Sequence, residues 1–336
     1  MTSKEFAKLI GVSQSTISRA MNNSGLVSEE RRNYIQKKAL EYGFVLNSQA
    51  RSLKTNRTGT VGILFPKHFS GMHQNLSLAY LYDLVQKELR KYGYDVMVVY
   101  DSDHNHVDMS LFERTIKRHK VDGFIVLRLD FSPEEIELIH RYKVPCVYLL
   151  HAAAKDPYSS SCTSDSIFGG YLVGQRFGKF KDFTCYYLGV NEISDSLVRL
   201  KGFTIGLEEQ GVSLSEENIL SCDLSIKSAY ECIIEHQKIF GAGKCAVFAY
   251  NDMMALGAVH AFQSLGLKIP DDVQIAGMDN QPLLGEFSPK LSTISLQYEK
   301  IATIGCELLR KEIEGVDDSV IQTVIKPQFI QGETTL

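Results

Sequence analysis

The sequence predicts a small all-α N-terminal unit followed by an α/β body of two doubly wound parallel sheets. Three observations predict it. The chain has 336 residues, too many for one average domain. Its first 45 residues carry three short helical patterns with caps. From residue 60 onward, strand and helix patterns alternate in two successive series.

The head reads element by element. Thr2 and Glu5 form a T-x-x-E capping box ahead of a helix whose apolar face is Phe6, Leu9 and Ile10. Gly11 breaks that helix. Ser13 caps a second one, with Ile17, Ala20 and Met21 as its inward stripe, and Asn22–Gly25 is a loop. Ser28, with Glu29 and Glu30 in the first turn, starts a third helix that ends at Gly43. Asn47 caps a short helix through Leu53, and Lys54–Gly59 is an exposed linker. The expected divisions are a head over 1–45, a hinge over 46–59 and a body over 60–336.

In the body, the strands of the first series are Val61–Phe65, Asp95–Tyr100, Gly123–Leu127 and Val144–Leu150. Helices are expected over Leu78–Tyr92, Met109–His119 and Pro133–Arg141. The second series has helix Gly169–Phe180, strand Phe183–Leu188, helix Leu197–Gln210, helix Ser228–Phe240, strand Cys245–Ala249, helix Met253–Leu265 and strand Val273–Ala276. Two lobes follow, one over about 60–161 and 292–322, the other over about 162–291 and 323–336. A ligand is expected in the cleft between them, at the C-terminal ends of the strands.

Charge separates head from body. Residues 1–58 hold ten Lys/Arg against four Glu, net +6, and the remainder is net −10. A basic head on an acidic body points the head at a polyanion, although a short basic stretch alone is more often a solvated surface. The longest apolar runs are strand-length, far below the ~18 residues of a membrane helix. The N-terminus has no apolar secretory segment. Seven cysteines without a C-x-x-C pair read as reduced thiols in a cytoplasm, mostly small core residues.

The most specific segment is Leu9–Asn22. Gly11 permits a tight turn between two helices, and the second exposes Ser, Gln, Thr and Arg, which can bond base edges and phosphates without a carboxylate's repulsion. A small helical bundle with an incidentally polar helix is the plain alternative. The run G-V-S-Q-S-T-I-S-R-A-M-N-N-S, followed by V-S-E-E-R-R and A-R-S-L, resembles the lactose/galactose repressor (LacI/GalR) family. The resemblance extends over essentially the whole chain through Arg199–Phe203, Tyr250–Gly257, Gly266–Val273, Gly277–Asn280 and Phe287–Ile294.

That resemblance implies a helix-turn-helix headpiece on a two-lobed, periplasmic-binding-protein-like sensor. It implies Gln14, Ser15 and Arg19 as base readers in the major groove. Ser13, Thr16, Ser18 and Asn22 would be phosphate contacts, and Ala50 and Leu53 the minor-groove hinge, Leu53 as wedge. It further implies a homodimer on a near-palindromic operator in double-stranded DNA. The C-terminus carries no heptad extension, which favours a dimer.

Arg199, Asn251 and Asp279 match the family's effector-contacting positions, with Asp165 as a fourth candidate. An Arg, an amide and a carboxylate can satisfy several hydroxyls of a sugar, the expected effector. The plain alternatives are helix capping for Asn251, turn capping for Asp279 and a surface position for Arg199. The chain departs from the family at three places: Leu46 replaces a proline, Leu224 an aromatic, and Ser77-Leu78 an aromatic pair. Phe65, Phe69 and Tyr80 are the candidate replacement rings. A solute-binding protein of the same fold without a DNA role is the alternative function.

Other signals are weak. Gly241–Cys245 lacks the first glycine and the Ser/Thr of a phosphate loop. Asp103–His106 has no partners at zinc-like spacing. No catalytic signature, metal site or cofactor is expected.

Overall fold

The computed structural model describes residues 1–21, 25–44, 57–67, 75–100, 109–128, 131–151, 156–191, 193–240, 243–316 and 319–336. Asn22, Ala50 and Leu53, together with 45–56 and Asp103–His106, lie outside the described residues.

The head consists of α1 (Ser3–Ile10), α2 (Gln14–Met21) and α3 (Glu29–Glu41). Thr2 and Glu5 form the reciprocal capping box, and Gly11 takes a left-handed φ of 68° that ends α1. Phe6, Ile17, Ala20, Ile35 and Phe44 close a small core, with the Phe6 and Phe44 rings stacked at 4.1 Å.

The body holds two six-stranded sheets. The first contains β1 (Thr60–Leu64), β2 (Asp95–Val99), β3 (Gly123–Val126), β4 (Cys146–Leu149), β5 (Ser160–Ser164) and β11 (Gln322–Ile325), in the order β11-β5-β4-β3-β1-β2. The second contains β6 (Phe183–Gly189), β7 (Ile219–Ser221), β8 (Lys244–Ala249), β9 (Val273–Asp279), β10 (Ser292–Ser295) and β12 (Gln328–Ile330), in the order β12-β10-β9-β8-β6-β7. All pairings are parallel except β10 with β12. Each sheet has one strand reversal in its order, between β1 and β3 and between β6 and β8. At such switch points the C-terminal strand ends open a crevice. Strands β3, β4 and β9 are buried along their whole length, as expected when helices cover both faces.

Helices α4 (Leu76–Lys91), α5 (Leu111–Lys117) and α6 (Pro133–Tyr142) cover the first sheet. The second is covered by α7 (Ser166–Phe177), α8 (Ser194–Glu209), α9 (Ile226–Glu235), α10 (Gln237–Phe240) and α11 (Asp252–Ser264). One further helix, α12 (Tyr298–Glu314), returns to the first lobe and packs on α4, β3, β4 and β5. It escapes the strand-helix alternation read from sequence, although Ile301, Ala302, Gly305, Cys306 and Leu309 are buried at helical spacing.

The chain passes between lobes after β5, after β10 and after β11. Ser292–Ser295 pairs with β9 and so sits in the second sheet, four residues past the expected return to the first lobe. Helix α7 begins at Ser166 and not at Gly169, because Asp165 caps it and its glycines lie inside the helix. The expected helix Ser228–Phe240 is two helices, interrupted at His236.

Candidate functional site

In the head, Gly11 turns the chain so that Ile17 and Ala20 of α2 face the core, leaving Gln14, Ser15 and Arg19 exposed. The hydroxyl of Ser13 accepts from the Thr16 amide at 3.1 Å and lies 2.8 Å from both the Ser15 and Thr16 hydroxyls. This cluster caps α2 and collects small polar groups at one end of its outer face. Thr16 and Ser18 are half-buried. The side-chain amide of Gln36 on α3 donates to the Ala20 carbonyl at 3.3 Å, bracing α2 from beneath. The outer face of α2 thus carries one cation and no carboxylate, the composition a phosphate-lined groove tolerates.

A cavity of about 170 Å³ opens between the lobes. Its wall is made from strand ends: Leu150 and His151 after β4, Tyr250 and Asn251 after β8, Asp279 at the end of β9 and Leu296 after β10. Three sequence-predicted residues, Arg199, Asn251 and Asp279, line it together.

Arg199, on α8, is only 6% exposed. Its Nε donates to Asp195 Oδ2 at 2.7 Å, and one terminal nitrogen donates to the Tyr250 carbonyl at 2.6 Å and lies 3.9 Å from Asp279. Its guanidinium also stacks 4.2 Å from the Tyr250 ring centre. Burial opposes the Arg199 charge, but Tyr250, Asp195 and Asp279 outweigh it, and the proton is held more tightly than usual. Burial likewise opposes ionisation of Asp195, yet Arg199 and Ser166 keep its carboxyl below the ordinary range. Burial lowers His151, which leaves its ring neutral near pH 7.

Asp279 has a left-handed backbone with φ 132° and is nearly inaccessible. Its carboxylate accepts from Ser77 at 2.8 Å and from Tyr298 at 3.1 Å, both belonging to the opposite lobe. The Gln281 side-chain amide donates to Ser77 at 2.7 Å. Behind Asp279, the fully buried Asp252 accepts from the Thr293 hydroxyl at 2.5 Å and the Gln281 amide at 3.2 Å. Burial, then the neighbouring Asp279, pushes Asp252 up to about 7. Asp279 is raised as well, chiefly by burial. At least one of these two carboxyls therefore holds its proton to near-neutral pH.

Asn251 caps α11, its Oδ1 accepting from the Met254 amide at 2.9 Å, and it lines the cavity as well. Capping and cavity lining thus coexist in one residue. Asp165 does not line the cavity; it caps α7 by accepting from the Phe168 amide at 2.9 Å. The rings are also placed differently from expectation. Phe65 is fully buried in the core and Tyr80 bonds Glu299, whereas Tyr250 and Tyr298 face the cleft. Phe69 lies outside the described residues. Leu78 and Leu224 line the cavity as apolar wall. Sequence reasoning missed Asp195, although it stands four residues before Arg199, the spacing of a helical ion pair. It also missed Ser77 as a polar contributor, Gln281 and Tyr298.

A helix-turn-helix head with a carboxylate-free outer face, ahead of two lobes meeting at a polar cleft, defines a DNA-binding regulator with a ligand-sensing body. Residues 2–47 match the bacterial regulatory proteins of the lacI family, and residues 178–335 match the periplasmic binding protein-like domain. The HTH-type transcriptional repressor PurR of Photobacterium profundum is 26% identical over 315 residues, 93% of this chain and 92% of that protein. The fold is shared with the lac repressor dimer bound to operator and the anti-inducer ONPF. Its TM-score is 0.78 at 19% identity, over 100% of this chain and 99% of that one. The transcriptional regulator CelR in complex with cellobiose gives a TM-score of 0.71 at 22% identity, over 99% of both chains.

This chain belongs to the lacI family of bacterial regulatory proteins. It is a DNA-binding repressor with an effector domain, and it works by binding, not by catalysis. The match of its head removes the alternative of a solute-binding protein without a DNA role. Among the described residues no helix is long and apolar enough to cross a membrane.

Proposed function

We propose that this repressor controls a carbohydrate-utilisation operon and that a small sugar, bound between the lobes, sets its operator affinity. The observation that carries the reading is the convergence of Arg199, Asn251 and Asp279 on one cleft with Ser77 from the other lobe. Two carboxylates, an amide, a guanidinium and hydroxyls form a dense hydrogen-bonding wall suited to a hydroxyl-rich ligand, with Tyr250, Tyr298 and Leu224 as apolar counterparts. The regulator bound to cellobiose shares the fold, which is compatible with a sugar in this cleft.

In this reading the chain acts as a cytoplasmic homodimer on a near-palindromic operator, with a head over 1–45, a hinge over 46–59 and a sensing body over 60–336. Gln14, Ser15 and Arg19 read bases, while Ser13, Thr16, Ser18 and Asn22 hold phosphates. Ala50 and Leu53 enter the minor groove at the dyad. The effector shifts the population between cleft closures that space the two hinges differently.

The test is a thermal-unfolding screen of free sugars, sugar phosphates, nucleobases and amino acids, followed by operator titration with each hit. A ligand at ~100 times its dissociation constant adds ~2.7 kcal/mol. A free sugar is expected to raise the midpoint and change operator affinity, and Arg199→Ala is expected to abolish both effects while leaving operator binding in place. A nucleobase hit with no sugar hit would overturn the carbohydrate assignment.

A further inference from the structure

The connection from β7 to α9 brings together two of the seven thiols. Cys222 follows the end of β7, its amide donating to the Gly189 carbonyl at 3.1 Å. It is half-buried between exposed Ser221 and Asp223. Cys232 lies within α9, packed against the core of the second lobe. Cys222 packs against the same cluster of buried residues that holds Cys232. The Ser228 hydroxyl accepts from the Asp223 amide at 2.9 Å, tying the segment after Cys222 to the first turn of α9.

A third group completes the cluster. His236, one turn beyond Cys232, places Nδ1 2.8 Å from the Cys232 carbonyl oxygen and 3.9 Å from its sulfur. A nitrogen that close to a carbonyl carries its hydrogen there, so the same N–H edge faces the sulfur. The other five thiols, Cys146, Cys162, Cys185, Cys245 and Cys306, are buried. Burial pushes them up, Cys162 and Cys185 to about 11 and Cys245 to about 12. Cys232 goes the other way: the neighbouring Cys222 first, and His236 after it, bring it down to about 7 against the burial of its own site.

We propose that Cys222 and Cys232 form a redox-active dithiol, in which a peroxide oxidises Cys232 and Cys222 closes the disulfide. The Cys232 thiolate attacks a peroxide oxygen; the O–O bond breaks, an S–O bond forms, and the departing hydroxide takes a proton to leave as water. The Cys222 sulfur then attacks the sulfenic sulfur. The S–O bond breaks, the S–S bond forms, and the second water leaves with the Cys222 proton. Two thiols lose two electrons and two protons, and one hydrogen peroxide becomes two waters. Leu224, two residues beyond Cys222, lines the effector cavity. The disulfide fastens this part of the cavity wall to α9, so oxidation reaches the sensing cleft through Leu224.

The experiment treats the full chain with hydrogen peroxide, quenches it, unfolds it in N-ethylmaleimide and measures intact mass and tryptic peptides. Two of the seven thiols are expected to escape labelling, and because Lys227 lies between the cysteines, they appear as two peptides joined by a dithiothreitol-sensitive bond. Cys222→Ser is expected to stop at the Cys232 sulfenic acid, captured by dimedone. In the unoxidised protein, the pH midpoint for native labelling of Cys232, which faces Cys222, His236 and Glu235, is expected to rise in His236→Leu. Labelling of all seven thiols after peroxide would overturn the proposal. So would the absence of a dimedone adduct in a Cys222→Ser protein that still binds DNA, or crosslinks scattered over other cysteines.

Discussion

The Ser77 hydroxyl donates to Asp279 Oδ2 at 2.8 Å and so links a helix of one lobe to a strand end of the other. Tyr298 and Gln281 complete the connection, at 3.1 Å to Asp279 and 2.7 Å to Ser77. The residue that faces the interlobe cavity is therefore also a residue on which the lobes meet. A ligand that hydrogen-bonds to Asp279 competes with, or adds to, the bonds that set closure.

Replacing Ser77 with alanine removes one of the two interlobe donors to Asp279 and leaves Oδ2 with only the long Gln281 contact of 3.4 Å. Loss of a hydrogen bond to a buried carboxylate costs ~1–3 kcal/mol. Urea denaturation of Ser77→Ala is expected to show an unfolding free energy lowered by that amount, through a lower midpoint at unchanged slope. A midpoint equal to that of the parent protein would mean that the lobes do not meet through this bond in solution.

The Asp252–Asp279 pair fixes the sign of a pH effect. Asp252 is raised from 3.8 to about 7, first by burial and then by Asp279. Between those values the folded chain binds the proton and the unfolded chain does not. The contribution of this group to stability therefore falls as pH rises through the window and is gone above about 7, at ~1.4 kcal/mol for each pH unit. Asp252→Asn cannot titrate. Its unfolding free energy relative to the parent is expected to improve steadily from pH 5 to pH 7. A constant difference across that range would place the proton elsewhere.

Legibility followed the range over which each signal acts. The Thr2–Glu5 box and the Gly11 turn are local, and the head could be read from them. Arg199, Asn251 and Asp279 came from resemblance at single positions, and strand ends brought them together. Ser77 and Tyr298 carry no local signal, because their roles depend on where the chain crosses between lobes. Strand β5, Ser-Ser-Cys-Thr-Ser, has no apolar run. It is buried because it lies between β4 and β11, with the Ser160 hydroxyl bonded to Glu312. Gly169 and Gly170 read as a helix start, whereas they lie inside α7, Gly170 where α8 approaches and Gly169 against Met278 and Ile294 of the second sheet.

That approach is itself testable. Gly202 on α8 packs directly against the Ile167 carbonyl of α7, and a Cβ there would overlap a backbone oxygen that cannot rotate away. Gly170 faces the Arg199 carbonyl in the same way. Overpacking of this kind costs ~1–3 kcal/mol or more. Gly202→Ala is expected to lower the melting midpoint by several degrees and to weaken effector response, since Arg199 lies one turn away on the same helix. Lys201→Ala, next along the chain but exposed, is expected to change neither. Equal behaviour of the two variants would show that the helices have room to spare.

Arg19 stands exposed on the last turn of α2, and no acidic residue lies on that helix. If Arg19 pairs with a base edge, Arg19→Ala costs ~1–3 kcal/mol on the true operator and relaxes preference at one base pair. If it only neutralises a phosphate, binding weakens about equally on all sequences and the salt dependence loses about one charge. Titrating parent and variant against the operator, a single-base variant and unrelated DNA at several salt concentrations distinguishes the two. The expected result is a loss confined to the operator, because a guanidinium on a face already supplied with the Ser13 and Thr16 hydroxyls for phosphate can turn toward the bases.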